Sequence, residues 1–280
     1  MLPVSVLLPV YHRVPAEQFE ASLNSVLEQT RPVAELIIIA DGPLTDELDA
    51  IIERACNEHD TVQCLRLAEN RGVAVATQAG LERATQPWIA RQDADDISLP
   101  ERFERMMALL EIRPDLGALG AAMYEFSGTP DNIVGTRSMP ESAEAVKRYA
   151  RFNNPVNNPT SIVHRERTIA AGGIQHLHLM EDYDLMARLI AAGHPVENLA
   201  EPLVLFRADP GMFTRRRDRR IFASEWDMQR RLKRYGLIST PRMLFNMAVR
   251  SGVRLIPASW FTKLYALVFR RDRADATERA

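Results

Sequence analysis

Cysteine is scarce in this 280-residue chain. Cys56 and Cys64 are the two present, which is too few for a disulfide framework and lacks the Cys-x-x-Cys spacing of a structural zinc site. This usage fits a reducing compartment, so we expect a cytoplasmic protein. The 46% hydrophobic and 26% charged residues exclude disorder throughout and fit one large globular domain with appendages.

Two glycine-rich phosphate loops are missing after the first apolar run. The chain has neither Gly-x-x-x-x-Gly-Lys-Ser/Thr nor Gly-x-Gly-x-x-Gly there, which argues against a P-loop nucleotidase and a dinucleotide-dependent dehydrogenase. The apolar residues 1–10 have no basic lead and no small-residue cleavage site. We therefore interpret them as a buried strand rather than a signal peptide.

Long apolar runs are also absent. The most apolar part of the C-terminal region, residues 244–269, is interrupted by Arg250, Arg254, Pro257 and Lys263, which disfavours a membrane-spanning helix. Its interleaved aromatic and basic residues suit helices that lie in a membrane interface. The equally open alternative is a pair of helices packed against the rest of the protein or in a dimer contact.

Charge of one sign dominates each part of the chain. Residues 1–206 carry 17 Lys and Arg against 30 Asp and Glu, whereas Arg207 to the C-terminus carries 18 against 7. A basic tail behind an acidic body indicates an anionic partner, such as phosphates or the inner membrane surface. No recognised nucleic-acid-binding module is present, so nucleic acid is not expected. The sequence leaves the oligomeric state open.

Strand and helix patterns alternate along the first half of the chain. This alternation predicts an α/β fold with a mostly parallel central sheet flanked by helices. The predicted strands are residues 4–9, 36–40, 62–67 and 88–90, and the predicted helices are residues 16–28, 45–57 and 70–84. Later segments predict helices at 100–112, 141–152, 181–192 and 218–235 and strands at 116–124, 133–136, 161–164 and 203–206.

Polar residues follow three of the predicted strands. Asp41, Asn70 and Asp93 each come just after a strand end, and in a parallel sheet such positions meet along one rim where ligands bind. We expect a nucleotide there, with Asp41 accepting a base N–H and Asp93 a ribose hydroxyl. Taken singly, Asp41 is equally well explained as a turn residue in Asp-Gly-Pro.

Three carboxylates crowd into residues 92–96. Asp93, Asp95 and Asp96 repel one another unless a cation holds them together, and hard oxygen ligands favour Mg²⁺ or Mn²⁺ over zinc. We expect Asp95 to bind this ion at a nucleotide diphosphate. The alternative is a solvated turn that leads into the next helix, because Ser98, Pro100 and Glu101 also form a helix-start pattern.

An ordered set of motifs resembles the family 2 glycosyltransferases of the GT-A fold, in particular bacterial enzymes of exopolysaccharide, capsule and O-antigen synthesis of the amylovoran type. The set comprises Val4 to Tyr11, Asp41-Gly42-Pro43, Asn70-Arg71-Gly72, Asp93-Ala94-Asp95-Asp96 with Leu99-Pro100-Glu101-Arg102-Phe103, and Glu181-Asp182-Tyr183-Asp184-Leu185. The resemblance covers residues 3–217. It implies an inverting transferase that uses a nucleotide-diphosphate sugar and Mn²⁺ or Mg²⁺.

The resemblance assigns roles to individual residues. It implies a catalytic domain at 1–217, with a nucleotide-binding half at 1–100 and an acceptor half at 101–217, followed by a helical basic extension at 218–280. Gln92 departs from the family, which often carries another residue there. The implied nucleotide contacts are Pro9, Tyr11, Asp41, Asn70, Gly72 and Asp93, with Asp95 as the metal ligand.

Asp182 is the expected general base. Transfer to a hydroxyl requires removal of its proton by a carboxylate within hydrogen-bond reach, and a helix N-terminus at Glu181 and Asp182 should keep Asp182 deprotonated near neutral pH. Without the family context, both residues are more simply helix caps. Glu181, Asn157 and Asn158 are expected to contact the acceptor.

Arginines follow the strand that ends near residue 206. Guanidinium groups match phosphate oxygens, so Arg207, Arg215 and Arg216 are expected at the donor diphosphate; a solvated basic surface is the alternative. A UDP-sugar donor and a saccharide or polyprenyl-diphosphate-linked acceptor are expected, with the protein cytoplasmic or peripheral on the cytoplasmic face of the inner membrane. A sugar nucleotidyltransferase and a non-catalytic nucleotide- or membrane-binding protein are the alternatives.

Overall fold

The fold is organised around one mixed sheet, seen in a computed structural model that describes residues 1–208 and 219–254. Within this part of the chain the sheet has nine strands in the order β3-β2-β1-β4-β8-β6-β9-β5, and β7 pairs with β6. The strands are β1 Leu2–Val10, β2 Val33–Ala40, β3 Val62–Arg66, β4 Trp88–Arg91, β5 Ile97–Ser98, β6 Ala118–Phe126, β7 Ile133–Arg137, β8 Ile162–His164 and β9 Val196–Arg207.

Helices cover both faces of this sheet. They are α1 Ala16–Leu27, α2 Asp46–Glu58, α3 Val73–Arg83, α4 Arg102–Ile112, α5 Ala143–Ala150, α6 Arg165–Ala170, α7 Glu181–Ala191, α8 Arg219–Arg234 and α9 Thr240–Arg254, and one 3₁₀ turn spans Asn158–Thr160. The α/β prediction is thereby confirmed. The short α6 was missed because six residues give too little helical periodicity to stand out.

The first four strands form the parallel half of the sheet. β1 lies between β2 and β4, and β3 lies outside β2, all in parallel register. Residues of β1 alternate between two cores: Val4, Val6 and Leu8 pack with α1, α2 and α4, whereas Leu7 packs with α3 and α7. Both faces of the strand are therefore buried, which explains why its residues are mainly apolar, with Ser5 as the polar exception.

The second half of the sheet mixes directions. β8 lies antiparallel between β4 and β6, β9 runs parallel to β6, and β5 adds two residues antiparallel to β9. The sequence predicted only the end of β9. Its first part carries the buried polar residue Asn198, whose Nδ2 donates to Pro140 O over 2.7 Å and to Pro155 O over 3.0 Å.

The helical extension packs against the rest of the protein as far as it is described. Asp184 on α7 is fully buried and accepts from Arg231 Nη1 on α8 over 3.3 Å and from Tyr235 Oη, just after α8, over 2.8 Å. Met243 and Met247 on α9 are also buried. Residues 255–269 of the predicted interfacial tail lie outside the described residues, and none of the described helices is long and apolar enough to cross a membrane.

Candidate active site

The loops after β2 and β3 are locked together by Asp41. Its Oδ1 accepts from the backbone N–H of Arg71 over 2.8 Å, and its Oδ2 accepts from that of Gly72 over 2.9 Å. Gly42 has a φ of +87°, and a Cβ there would lie 2.6 Å from the backbone nitrogen of Asn70. Only glycine therefore allows this approach. Asp41 and Asn70 thus lie close together after β2 and β3, and Asp93, the third residue predicted for this rim, follows the parallel strand β4 at the same edge of the sheet.

The loop of residues 92–96 after β4, here called the carboxylate loop, is held in place by hydrogen bonds of the Gln92 side chain. The Gln92 side chain is fully buried, and its Nε2 donates to Ser22 Oγ and to the backbone oxygen of Asp96, each over 2.9 Å. Its Oε1 accepts from Ser98 Oγ and Arg102 Nη1, each over 2.8 Å. The loop is therefore held by buried hydrogen bonds, and Asp93 and Asp95 stay partly exposed at its surface.

Buried charges of both signs surround this loop. Asp96 is 1% exposed; burial and the neighbouring Asp93 and Asp95 raise its pKa well above its ordinary value. Its Oδ1 accepts from the backbone N–H of Arg207 over 2.9 Å, whereas its Oδ2 is buried with no partner among the described residues. Burial lowers the pKa of Arg102 to about 9, against the opposing effect of Asp93 and Asp96.

Arg91 is a candidate site residue that the sequence analysis missed. Its Nε and Nη2 lie 2.7 and 2.6 Å from Asp93 Oδ1, and its Nη1 donates to Thr77 Oγ1 over 3.1 Å. The attraction of Asp93, Glu181 and Asp182 raises the pKa of Arg91 although burial opposes this. The available signal was a basic residue that ends an otherwise apolar strand immediately before a carboxylate cluster.

Asp182 lies in the first turn of α7. Its Oδ2 accepts from Asn154 Nδ2 over 2.8 Å and its Oδ1 from the backbone N–H of Tyr183 over 2.8 Å. Burial, followed by repulsion from Glu181, raises the pKa of Asp182 to about 7. Burial and Glu181 thus oppose the expected effect of the helix N-terminus, which was to keep Asp182 deprotonated near neutral pH.

The end of β4 and the start of α7 meet at one cavity. This cavity of about 40 Å³ is lined by Arg91 and Thr77 from one side and by Glu181, Asp182 and Asn158 from the other, with apolar residues of β1, β4 and α7 at its base. Burial also raises the pKa of Glu181, against the attraction of Arg91. The structure thus joins the end of β4 to the start of α7, which lie 90 residues apart in the sequence.

The remaining predicted residues have different surroundings. Asn157 is buried, and its Nδ2 donates to the backbone oxygens of Ala121 and Arg137, so it holds the loop in place. Arg207 stacks on Phe126 at 4.6 Å and donates from Nε to the backbone oxygen of Asp95 over 3.1 Å. Pro9 and Tyr11 lie at the end of β1. Arg215 and Arg216 lie outside the described residues.

Comparisons with known proteins agree with this fold. The fold is the GT-A fold of nucleotide-diphospho-sugar transferases, and the model of glycosyl transferase family 2 matches residues 5–172. The chain belongs to this family and is a glycosyltransferase. It is 34% identical to the amylovoran biosynthesis glycosyltransferase AmsE of Erwinia amylovora, over 96% of this chain and 98% of that one.

Two further relatives extend the comparison. The Escherichia coli UDP-Gal:alpha-D-GlcNAc-diphosphoundecaprenol beta-1,3-galactosyltransferase is 28% identical over 95% of this chain and 96% of its own length. The crystal structure of S. aureus TarS 1–349 in complex with UDP-GlcNAc superposes with a TM-score of 0.65 at 18% identity, covering 82% of this chain and 66% of that one. At this low identity, the latter match supports the fold alone.

Proposed function

We propose that this protein is an inverting glycosyltransferase of cell-surface polysaccharide synthesis. It transfers a sugar from a UDP-sugar to a hydroxyl group of a saccharide or lipid-linked acceptor. The observation that supports the proposal is the cavity that Asp182 shares with Arg91, because Arg91 also pairs with Asp93 and thereby links the proposed base to the proposed donor side. The names of the amylovoran and galactosyl transferases, given above, support this substrate class.

The reaction is proposed as one displacement. Asp182 takes the proton of the acceptor hydroxyl while the oxygen attacks the anomeric carbon, and the bond from that carbon to the diphosphate breaks. UDP leaves with the electron pair, and the anomeric centre is inverted through an oxocarbenium-like state. A base with a pKa near the working pH suits this step, since it is ionised often enough and still accepts a proton readily. Glu181 and Asn158, which line the cavity, belong to the proposed acceptor side, whereas the buried Asn157 holds the loop that carries Asn158.

The carboxylate loop fits a divalent metal ion. No group of three or more metal-ligating side chains gathers within the described ranges 1–208 and 219–254, but Mg²⁺ commonly uses one or two carboxylates together with substrate phosphates. Asp95, with Asp93 beside it, supplies such hard oxygen ligands, and Mn²⁺ accepts the same set. When bound, the ion would stabilise the negative charge of the leaving diphosphate.

The donor nucleotide is proposed to lie along the rim of the parallel half. Pro9, Tyr11, Asp41, Asn70, Gly72 and Asp93 would contact it, and Arg207, Arg215 and Arg216 would approach the diphosphate. Asp41 already receives two backbone N–H groups, which fixes its carboxylate before any nucleotide arrives. We further propose a cytoplasmic protein that contacts the cytoplasmic face of the inner membrane through its extension, residues 218–280.

A thermal-shift panel of UDP, GDP and dTDP with and without Mn²⁺ tests the donor site, because a ligand that binds only the folded state raises the melting temperature. We expect a Mn²⁺-dependent rise that is largest for UDP and is lost in Asp95→Asn. A larger rise with GDP or dTDP would retain the enzyme class and overturn the UDP assignment. No response from folded protein would favour a non-catalytic role.

A further inference from the structure

A second depression lies between α5 and the turn that joins α8 to α9. Its volume is about 350 Å³, and it is lined by Arg148, Arg151 and Arg242 together with Leu237, Ile238 and Ser239. We call this depression the arginine pocket. It belongs neither to the rim of the sheet nor to the cavity at Asp182.

The positive charge of the arginine pocket is only weakly compensated. In the described ranges, the ion pair recorded for its arginines is that of Arg148 with Glu144, at 3.9 Å between side chains that are 68% and 91% exposed. An exposed pair at this distance contributes little. Three guanidinium groups around one depression present paired N–H donors that match phosphate oxygens, so the chemistry favours a ligand with more than one phosphate.

Exposed apolar side chains adjoin this charge. Leu244 and Phe245 on α9 are 55% and 57% exposed, and the guanidinium of Arg242 lies 5.6 Å from the centre of the Phe245 ring. Phosphate-binding groups next to exposed apolar residues match an amphiphile with a polar head and a hydrocarbon chain. This combination distinguishes the arginine pocket from a site for a free anion.

The arginine pocket is connected to the proposed base through the loop that follows α5. On α9, Asn246 Nδ2 donates to the backbone oxygen of Arg151 over 2.8 Å, and Arg250 Nη2 donates to that of Phe152 over 2.5 Å. Asn154 then donates to Asp182 Oδ2 over 2.8 Å. Three residues of chain span at most about 11 Å, so the backbone at Arg151 lies close to the residue that contacts Asp182.

We propose that the arginine pocket binds the diphosphate of a polyprenyl-diphosphate-linked acceptor, whose sugar then reaches Asp182. Leu244 and Phe245 contact the first part of the lipid chain. The inference rests on the proposed function and deepens it, because it separates an acceptor diphosphate site on α5 and α9 from the donor diphosphate site at Asp95. The lipid-linked sugar in the name of the E. coli galactosyltransferase agrees with such an acceptor.

Binding of farnesyl diphosphate, measured by calorimetry in EDTA, tests the proposal. EDTA removes the metal ion on which diphosphate binding at Asp95 depends. We expect the wild type to bind and the Arg151→Gln/Arg242→Gln and Arg148→Gln/Arg242→Gln variants to bind at least tenfold more weakly. Arg54→Gln/Arg105→Gln removes the same charge from α2 and α4 and should leave the affinity unchanged.

Four results would overturn the proposal. In the first two, the folded wild type does not bind farnesyl diphosphate, or the pocket variants bind it with wild-type affinity. In the third, the wild type binds inorganic pyrophosphate as tightly as farnesyl diphosphate. In the fourth, the pocket variants keep their affinity for farnesyl diphosphate but lose binding to phosphatidylglycerol vesicles. The last two would assign the arginines to free phosphate and to phospholipid headgroups. The Mn²⁺-dependent thermal shift with UDP, measured on the same variants, reports on the donor site alone. Failure of the proposed function can therefore be distinguished from failure of the arginine pocket proposal.

Discussion

The raised pKa of Asp182 allows a prediction of how the rate of transfer depends on pH. Because a general base must be ionised and the pKa of Asp182 is raised to about 7, kcat/KM should rise about tenfold per pH unit below 7 and level off above it. Glu181→Gln removes a neighbouring negative charge, which lowers the pKa of Asp182 and moves the rising limb to lower pH. Asn154→Ala removes a donor to the ionised carboxylate and should move the limb the other way. A pH–rate profile that already levels off near the ordinary pKa of an aspartate would contradict the assignment of Asp182 as the general base.

Asp182→Asn should lower the rate of transfer without lowering the stability of the protein. Loss of a general base costs about 10²–10⁴-fold in rate. In contrast, the pKa of this carboxyl is about 7 in the folded state and about 3.9 when unfolded. Asp182 therefore does not reduce the free energy of unfolding below about pH 4. Its ionisation lowers this free energy as the pH rises from about 4 to 7, and above pH 7 the loss reaches its full value of at most about 4 kcal/mol.

The stability of Asp182→Asn is best compared with the wild type by urea denaturation at pH 5 and pH 8. The variant should be the more stable protein at pH 8, and the difference should shrink at pH 5. Equal stabilities at both pH values, measured with intact secondary structure, would show that the environment of Asp182 does not disfavour its charge.

Arg91 is expected to position the carboxylates on both sides of the cavity. Arg91→Met leaves Asp93, Glu181 and Asp182 without their shared cation, so stability should fall by about 3–5 kcal/mol and the pH-rate limb should move to higher pH. Arg91→Lys restores the charge without the planar fork and should recover the position of the limb but only part of the donor affinity. A purely structural role would change stability while leaving the limb in place.

At the scale of elements, Asp184 connects α7 to α8. Asp184→Asn leaves the buried Arg188 without its carboxylate and removes one of the two carboxylate partners of Arg231, and breaking such a buried pair typically costs about 3–5 kcal/mol. Asp227→Asn is the matched control, since Asp227 also pairs with Arg231, at 3.0 Å, but is 47% exposed, and such pairs contribute about 0.3–0.5 kcal/mol. Urea denaturation gives both values. Similar losses in the two variants would show that α8 is not anchored through Asp184.

The sequence predicted elements where their pattern is local. β1 and β2 are mainly apolar runs, and α1 between them shows one apolar face, so the parallel half followed from periodicity. β5 has two residues, and the first part of β9 includes Asn198, which is buried because Pro140 and Pro155 accept its bonds. Those elements depend on partners distant in the sequence, and no local pattern marks them.

The residues of the candidate site also fall into those that a local sequence pattern predicts and those that depend on distant contacts. Asp41, Asn70 and Asp93 were predictable because each follows a strand of the parallel half. The supporting residues Arg91, Gln92, Arg102 and Asn154 were not, since each acts through neighbours that only the folded chain brings together. The pKa of Asp182 likewise depends on burial and on Glu181.

For the whole molecule, the uneven charge predicts salt-dependent membrane contact. The full chain should sediment with phosphatidylglycerol-containing vesicles in 50 mM NaCl and much less in 500 mM NaCl, because added salt screens the attraction of the basic C-terminal region, residues 207–280. Vesicles of phosphatidylcholine alone serve as the control. Equal binding to both vesicle types, or binding insensitive to salt, would contradict an electrostatic contact.

The position of β8 has a consequence for how the protein is made. A ribosome releases β1 to β4 long before residues 162–164, yet β8 pairs with β4 at the centre of the finished sheet. Until then the growing chain presents β4 as an open edge, which is a template for pairing with other chains. Translation that stalls between β4 and β8 should therefore yield aggregating fragments that already carry the Asp93 loop but lack Asp182.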